Sequence, residues 1–356
     1  MTEGTEPQTW LHPDSEDLLG ATASLGDQIG SALASFAPID GLPGLPGADG
    51  LTSVVVAGMG GSAVAGEILR AYAAPRSKVP VVLVNDYSLP GFVGPGTLWF
   101  AVSFSGGTEE TAVATAAALK AGAHVVAVTS GGALSEMVRD GGGSVILIQP
   151  GVTQPRSAVG ATAVPLLLVC EQLGLVTDAR AQLEAVVAQL SRRRSELESG
   201  AGLAADIARR IGRTIPVFHA GSGLPAVAAR RWKTQLNENA KSPAYFGVQP
   251  EVCHNEVCGF GQHGDVTRQV LTLVNLRTGS EDPRIVLRFQ LFAEATEEAL
   301  ARVIEVEAAG DGELACFFDL VMVGDFVSLH LATRDGIDPG PVPTLTELKR
   351  RLASGA

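Results

Sequence analysis

The sequence is poor in cysteine, in positive charge and in histidine. Its four cysteines, Cys170, Cys253, Cys258 and Cys316, include no CxxC pair. Thiols this sparse exclude a disulfide-stapled scaffold and are expected to be reduced. Lysine and arginine total 26 against 38 aspartates and glutamates, a formal net charge of -12. A chain with that balance has no basic face to release counterions from nucleic acid or to settle on an anionic membrane, so neither is expected as a partner. The six histidines show neither HxH nor HxxxH spacing, and the Cys253 to Cys258 interval, with His254 inside it, matches no zinc-ligand pattern. No metal and no cofactor is expected. The stretch MTEGTEPQTWLHPDSED is acidic and polar, where a secretory signal would be basic and then apolar. Apolar runs such as Ser53 to Met59 and Val164 to Val169 are too short to cross about 30 Å of hydrocarbon. A cytoplasmic protein is expected.

What is present is an apolar chain punctuated by glycine: 46% hydrophobic and 18% charged residues, with 42 glycines and 20 prolines in 356 positions. That length holds two cores, and two domains are expected, 1–200 with a preceding and a bridging helix, and 201–356. Leu18, Leu19, Leu25, Ile29 and Leu33 give Glu16 to Phe36 helical spacing, closed by APIDGLPGLPGADG. From Leu51 short β-branched runs (TSVVVAG, VPVVLVND, TLWFAVSFS, HVVAVTS, SVILIQP) alternate with helical patterns. Such alternation means a parallel sheet covered on both faces, an α/β fold. Arg156 to Leu173 reads as an apolar helix and Ala179 to Arg213 as a long helical bridge. At Thr214 the alternation restarts with TIPVFHAGSG, then a helix from Leu224 to Ala240, VLTLVNL, a helical EDPRIVLRFQLFAEA, ARVIEVEA and an apolar helix from Glu313 to Ala332. Both halves open with a strand, a glycine turn and a helix, which points to one fold used twice.

Two turns carry the chemistry of the first half. Gly58-Met59-Gly60-Gly61-Ser62-Ala63 follows a buried strand and opens a helix, where free N–H groups and the positive helix end favour an anion. Taken literally it is also G-x-G-x-x-A, with Asp86 at the end of the next strand, so a dinucleotide stays open at this point, as does a packing turn. The second turn, Ser103-Phe104-Ser105-Gly106-Gly107-Thr108, offers three hydroxyls and two glycines between a strand and a helix. Neutral donors of this kind surround a phosphate without Arg or Lys. Plain N-capping accounts for one hydroxyl, not three. Two convergent hydroxylated helix starts fit a compact phosphomonoester better than a stretched pyrophosphate.

These turns resemble the sugar isomerase (SIS) domain, and the segments GMGGSAVAG, SFSGGTEET, QPRSAVG, QLNENAK and CHNEVCGF, in that order, resemble the bifunctional phosphoglucose/phosphomannose isomerase family. The resemblance runs from about Gly58 to TLTELKRRL. It implies two SIS-type doubly wound domains and an aldose–ketose isomerase interconverting glucose 6-phosphate or mannose 6-phosphate with fructose 6-phosphate, by metal-independent proton transfer through a cis-enediolate. By matching position it implies that Gly61, Ser62, Ser103, Ser105 and Thr108 bind the phosphate, that Glu238 is the base, that His254 opens the ring, that Arg156 stabilises the enediolate and that Lys349 assists at the ring oxygen. It further implies a homodimer in which His254 is donated to the neighbouring subunit.

The residues themselves bear on these roles. Glu238 falls near the end of the Leu224 to Ala240 helix, where a carboxylate meets the negative pole; the bland reading is a solvated Glu paired with Lys241 or Lys233. Imidazole suits ring opening because its free pKa is near 6.5, and Asn255 and Glu256 are expected to orient the His254 ring while PEVC and VCGF shield it. Arg156 places a fixed charge where an oxyanion develops, against the alternative of a surface ion pair. Lys349 lies in a charged amphipathic helix that explains such a residue without catalysis. The cluster Arg230-Arg231-Trp232-Lys233 is expected as a solvated or interdomain face. Two rivals stand beside the isomerase: a non-catalytic phosphosugar-binding SIS module, which needs only the hydroxyl turns, and a nicotinamide-dependent oxidoreductase.

Overall fold

The computed structural model describes residues 13–36, 47–149, 151–152 and 154–354. Residues 37–46 of the Pro/Gly connector expected after Phe36 and the acidic tail through His12 lie outside these, while the connector's end forms a 3-10 turn, Ala48–Gly50. Contacts divide the chain into two compact units, one of Ser24–Arg192 with Gly310–Ala315, the other of the described parts of Met1–Ala23, Arg193–Ala309 and Cys316–Ala356. Beside the expected 1–200 and 201–356, which are contiguous, these units interleave. The reason is local: Ser15 N–H donates to Asp338 Oδ1 at 3.4 Å and Glu16 packs on Gly340, tying the first short helix to the C-terminal part of the chain.

The single helix expected from Glu16 to Phe36 is two, α1 (Leu18–Ala23) and α2 (Leu25–Ser35), broken at Ser24. Asp14 starts α1 by accepting the Leu18 and Leu19 N–H groups at 2.8 Å each, in the manner of an N-cap. Then come β1 (Ser53–Gly58), α3 (Ala63–Ala73), β2 (Val81–Val84), β3 (Thr97–Ser103), α4 (Glu109–Lys120), β4 (His124–Thr129), α5 (Gly132–Asp140), β5 (Ser144–Leu147) and α6 (Val159–Gln172). The strands pair in parallel in the order β2-β1-β3-β4-β5. Every residue of β1 and β3 is buried, as the continuous apolar runs require of central parallel strands. On one face Val55, Ala57, Trp99, Ala101, Val125 and Ala127 meet Ala114, Ala118, Leu134 and Val138 of α4 and α5. On the other α3 lies so close that a side chain at Gly66 would touch Val56 at 2.8 Å.

The expected helical bridge is α7 (Ala179–Glu198) and α8 (Leu203–Ile211). They separate at Gly202, where a Cβ would lie 1.8 Å from the Glu196 carbonyl oxygen. The second unit continues with β6 (Ile215–Gly221), α9 (Leu224–Glu238), β7 (Tyr245–Gln249), α10 (Gly264–Val270), β8 (Leu271–Arg277), α11 (Pro283–Thr296), β9 (Arg302–Glu307), α12 (Glu313–Arg334) and α13 (Pro343–Ser354). Its order, β7-β6-β8-β9, again parallel, repeats that of the first sheet without a fifth strand. One fold is used twice. Strand β7, the two 3-10 turns after it (Glu251–His254 and Glu256–Gly261) and α10 were not anticipated from sequence. Among the described residues α12 alone is long and apolar enough to cross a membrane, and 94% of its most apolar window is buried in the protein.

Candidate active site

In a doubly wound sheet the connections from two neighbouring strands leave to opposite sides, and ligands bind at the carboxyl ends of those strands. In the first sheet these strands are β1 and β3. The β1 turn begins with Gly60 at φ +53 and passes through a 3-10 turn, Gly60–Ser62, into α3. Ser62 does not cap α3; its Oγ accepts the N–H of Phe104 from the β3 turn at 3.2 Å. The two turns are therefore joined through a hydroxyl.

The β3 turn is built on Gly106, at φ +66 and so close to the next loop that a Cβ would lie 1.8 Å from the Gly131 carbonyl oxygen. The hydroxyls of Ser103 and Thr108 share a hydrogen bond at 2.9 Å, and Ser105 Oγ accepts the Gly107 N–H at 3.3 Å. Thr108 occupies the N-cap of α4 without capping it by its side chain, so N-capping does not account for these hydroxyls. Ser103 is fully buried and Ser105 exposed. Sequence reasoning missed the β4 loop beneath: Ser130 donates to Phe104 O from its N–H at 3.0 Å and from its hydroxyl at 2.6 Å. Its signal is the Ser130-Gly131-Gly132 run after β4.

Arg156 is brought to this place by backbone. A Cβ at Gly61 would lie 2.9 Å from Arg156 Cα and N, so the Pro155–Ser157 turn rests directly on the β1 turn. The side chain is 5% exposed, contrary to the surface ion pair considered for it, and its guanidinium donates to Gln154 Oε1 at 3.2 Å. Asp86, the acid a dinucleotide would need, accepts the Tyr87 N–H at 2.6 Å and the Ser88 hydroxyl at 3.1 Å in its own turn.

The second unit holds the other three residues, on three different elements. Glu238 is the last residue of α9, half-buried. The helix end that carries it is clamped: Asn239 donates to Ser328 Oγ at 2.9 Å and Asn237 to Ser242 O at 2.8 Å. Lys241 donates to the Glu238 carbonyl and, at 3.2 Å, to Pro339 O. Further up α9, Arg231 forms a buried two-point pair with Asp325 at 2.9 and 2.7 Å. Burial pushes the Asp325 carboxyl above its usual range, with Arg231 pulling the other way. Arg231 thus faces the core of its unit rather than solvent.

His254 ends the first 3-10 turn after β7 and is exposed; the expected shielding by its neighbours does not occur. Neither Asn255 nor Glu256 bonds to the ring. Asn255 bridges its own segment, donating to Glu251 Oε1 at 2.8 Å and accepting the Glu256 N–H at 2.6 Å, while Glu256 pairs with His219 at 2.7 Å. Lys349 is exposed on α13, where Glu347 pairs with Arg350 and Arg351 instead. Neither the His254 nor the Lys349 side chain makes a hydrogen bond among the described residues.

The second sheet does not repeat the hydroxyl turns. Thr278 and Ser280, after β8, lie 3.2 Å apart, but Arg277 beside them is held by Glu281 at 3.3 Å and Glu305 at 3.6 Å. A dianion would meet carboxylates there. Among the described residues no three His, Cys, Asp or Glu side chains are grouped as a metal site requires.

Residues 201–352 match the bacterial phospho-glucose isomerase C-terminal SIS domain family. A bifunctional phosphoglucose/phosphomannose isomerase of Caldicellulosiruptor bescii is 36% identical over 310 residues, 86% of this chain and 91% of that one. One of Thermoplasma acidophilum is 36% identical over 304 residues, 85% of this chain and 90% of that one. Among solved structures, the tagatose-6-phosphate ketose/aldose isomerase of Escherichia coli shares the fold, with a TM-score of 0.66 at 16% identity, over 95% of this chain and 98% of that one. With relatives this similar over most of its length, the chain belongs to the bifunctional phosphoglucose/phosphomannose isomerase family.

Proposed function

We propose that the protein is an aldose–ketose isomerase that interconverts glucose 6-phosphate and mannose 6-phosphate with fructose 6-phosphate. The observation that carries this reading is the set of joined hydroxyl turns at the ends of β1 and β3, with the buried Arg156 turn resting on Gly61. Ser62, Ser103, Ser105 and Thr108 bind the 6-phosphate as neutral donors, helped by the N-terminal ends of α3 and α4. His254 moves the ring-oxygen proton and opens the sugar, assisted by Lys349. Glu238 then takes a proton from C2 and returns it to C1, while Arg156 holds the negative charge of the cis-enediolate. No step needs a metal or a redox cofactor, because the hydrogen leaves and returns as a proton on one substrate. The chemistry is closed within these side chains.

A non-catalytic sensor needs the hydroxyl turns alone; Glu238, His254 and Arg156 together favour the enzyme. Nothing in the Asp86 turn favours a dinucleotide. The exposed position of His254 supports its donation across a homodimer. Mixing inactive Glu238→Gln and His254→Gln enzymes then restores turnover, since a mixed dimer holds one intact set. A charged 6-phosphate substrate, which does not cross a membrane unaided, supports a cytoplasmic location. The test is an assay of the purified protein with fructose 6-phosphate, reading glucose 6-phosphate and mannose 6-phosphate separately, before and after exhaustive chelation. Both products are expected, unchanged by EDTA. Absence of both, or zinc-dependent recovery, overturns the reading.

A further inference from the structure

His254 stands on a segment with little regular structure of its own. Two 3-10 turns, Glu251–His254 and Glu256–Gly261, meet at Asn255, and such turns lack the ladder that fixes an α-helix. Their orientation must come from what their side chains reach. Val252, Val257 and Phe260 pack on Leu273, Phe292 and Leu300, and the Cys253 thiol donates to Gln249 Oε1 at 3.1 Å. Apolar contacts of this kind fix depth more than angle. The directional tie is Glu256, whose carboxylate meets His219 Nε2 at 2.7 Å.

His219 is a rigid anchor. It lies on β6, an inner strand of its sheet, is fully buried, and stands edge-on to Phe292 with ring centroids 4.7 Å apart. Its Nδ1 is buried with no hydrogen-bond partner among the described residues, so Glu256 is the one polar group the ring holds. A carboxylate only accepts, which makes Nε2–H the donor. Room for the contact is left by Gly247 of the edge strand: a Cβ there would lie 3.0 Å from both His219 Nε2 and Glu256 Oε2. A buried imidazole, a bare strand position and a carboxylate two residues beyond His254 thus form one device.

We propose that Glu256 and His219 are positioning residues that hold the 3-10 turn of His254 at the angle needed for ring opening. This rests on the reading of His254 as the group that opens the sugar ring. The pair never touches substrate and acts through His254, so losing it has the signature of losing ring opening alone. That step is separable with 5-deoxyfructose 6-phosphate, which lacks the ring-closing hydroxyl and stays acyclic.

Solvent deuterium entering C1, followed by proton NMR, gives the rate of enediolate formation from fructose 6-phosphate and from the acyclic substrate. Glu256→Ala and His254→Gln are each expected to slow the cyclic substrate by about 10²-fold in kcat while leaving the acyclic one within about threefold and KM little changed. Glu256→Gln, which still accepts from Nε2–H, restores most of the lost rate. Amide exchange over Val252–Gly261 speeds up in Glu256→Ala and not in Glu256→Gln. If Glu256→Ala slows both substrates equally, or leaves exchange in that segment unchanged, while His254→Gln remains selective, the proposal alone fails. If His254→Gln shows no selectivity, the role given to His254 fails, and the proposal with it.

Discussion

Gly61 packs against the backbone of Arg156 with no room for a methyl group: a Cβ at 61 would lie 2.9 Å from both Arg156 N and Cα. Backbone cannot step aside as a long side chain can, so the substitution Gly61→Ala must move one turn off the other. The expected cost is about 1–3 kcal/mol of stability, the usual range for an overpacked site. Because the turn that moves carries Arg156, kcat is expected to fall more than binding. Thermal unfolding and initial rates on the same preparation check this. An enzyme with wild-type kcat and Tm would show that the approach is looser than described.

The two hydroxyl turns carry an exposed and a partly buried hydroxyl, and the proposed phosphate site uses both. Ser105 is exposed while Thr108 is half-buried and bonded to Ser103 at 2.9 Å. Removing either donor from a dianion is expected to raise KM for the 6-phosphate sugar, at about 1.5–3 kcal/mol per lost bond. Thr108→Ala also leaves the buried Ser103 hydroxyl without its partner, so it should lower Tm as Ser105→Ala does not. Steady-state kinetics on both variants, with inorganic phosphate as competitor, tests the assignment. An unchanged KM in both would place the phosphate elsewhere.

Arg231 and Asp325 are both nearly inaccessible, and each depends on the other. Arg231→Met leaves a buried carboxylate without its cation, which typically costs about 3–5 kcal/mol. The double variant Arg231→Met, Asp325→Leu is expected to recover much of that. The pH dependence has a definite sign. Burial already raises the Asp325 carboxyl, and a folded-state value above the unfolded one means stability falls as pH rises between the two. Without Arg231 the folded value climbs further, so the deficit of Arg231→Met should shrink on acidification. Urea unfolding at a series of pH values reads this directly, and a deficit that grows in acid would contradict it.

His330 gives the opposite slope. Burial holds its imidazole below the ordinary value of 6.5, while its Nε2–H donates to Leu197 O at 3.0 Å. A depressed histidine adds stability that is complete above the unfolded value and is lost as pH falls below it, because the unfolded chain then binds the proton first. His330→Gln keeps a donor and removes the titration. Its stability curve should be flatter than wild type between pH 7 and 5; equal slopes would mean that His330 does not titrate differently on folding.

Local chemistry was legible in the sequence and long-range approach was not. TSVVVAG and TLWFAVS read as central strands because burial on both faces leaves an unbroken apolar run. Strand β7 escaped notice because it is a short edge strand whose Tyr245 and Phe246 are 59% and 39% exposed. The hydroxyls from Ser103 to Thr108 sit within one turn, so their spacing alone announces them. The Gly61 to Arg156 approach, the Ser130 clamp on Phe104 and the His219–Glu256 pair join residues far apart in the chain. The last misled most. Glu256 stands beside His254 in sequence, yet the fold turns it inward to β6.

Glu238 closes α9, and the end of that helix is held by bonds from Asn237, Asn239 and Lys241 that reach Ser242, Ser328 and Pro339. A proton carrier must reach C1 and C2 in turn without wandering, and a carboxylate on a helix end clamped in this way has a fixed origin and a short reach. His254, exposed on its turn, suits the exchangeable ring-oxygen proton better than the carbon-bound one. Glu238→Gln keeps the volume and removes the base. Isomerisation is expected to fall by at least about 10²-fold, a usual general-base contribution, with Tm little changed. Glu238→Asp shortens the arm by one methylene and should retain a measurable fraction of the rate, since the base is kept and its reach alone is reduced. Solvent deuterium exchange at C2 of the aldose separates the outcomes. If Glu238→Gln still exchanges that proton at the wild-type rate, another residue carries it, and the clamp around Asn239 serves only to end the helix.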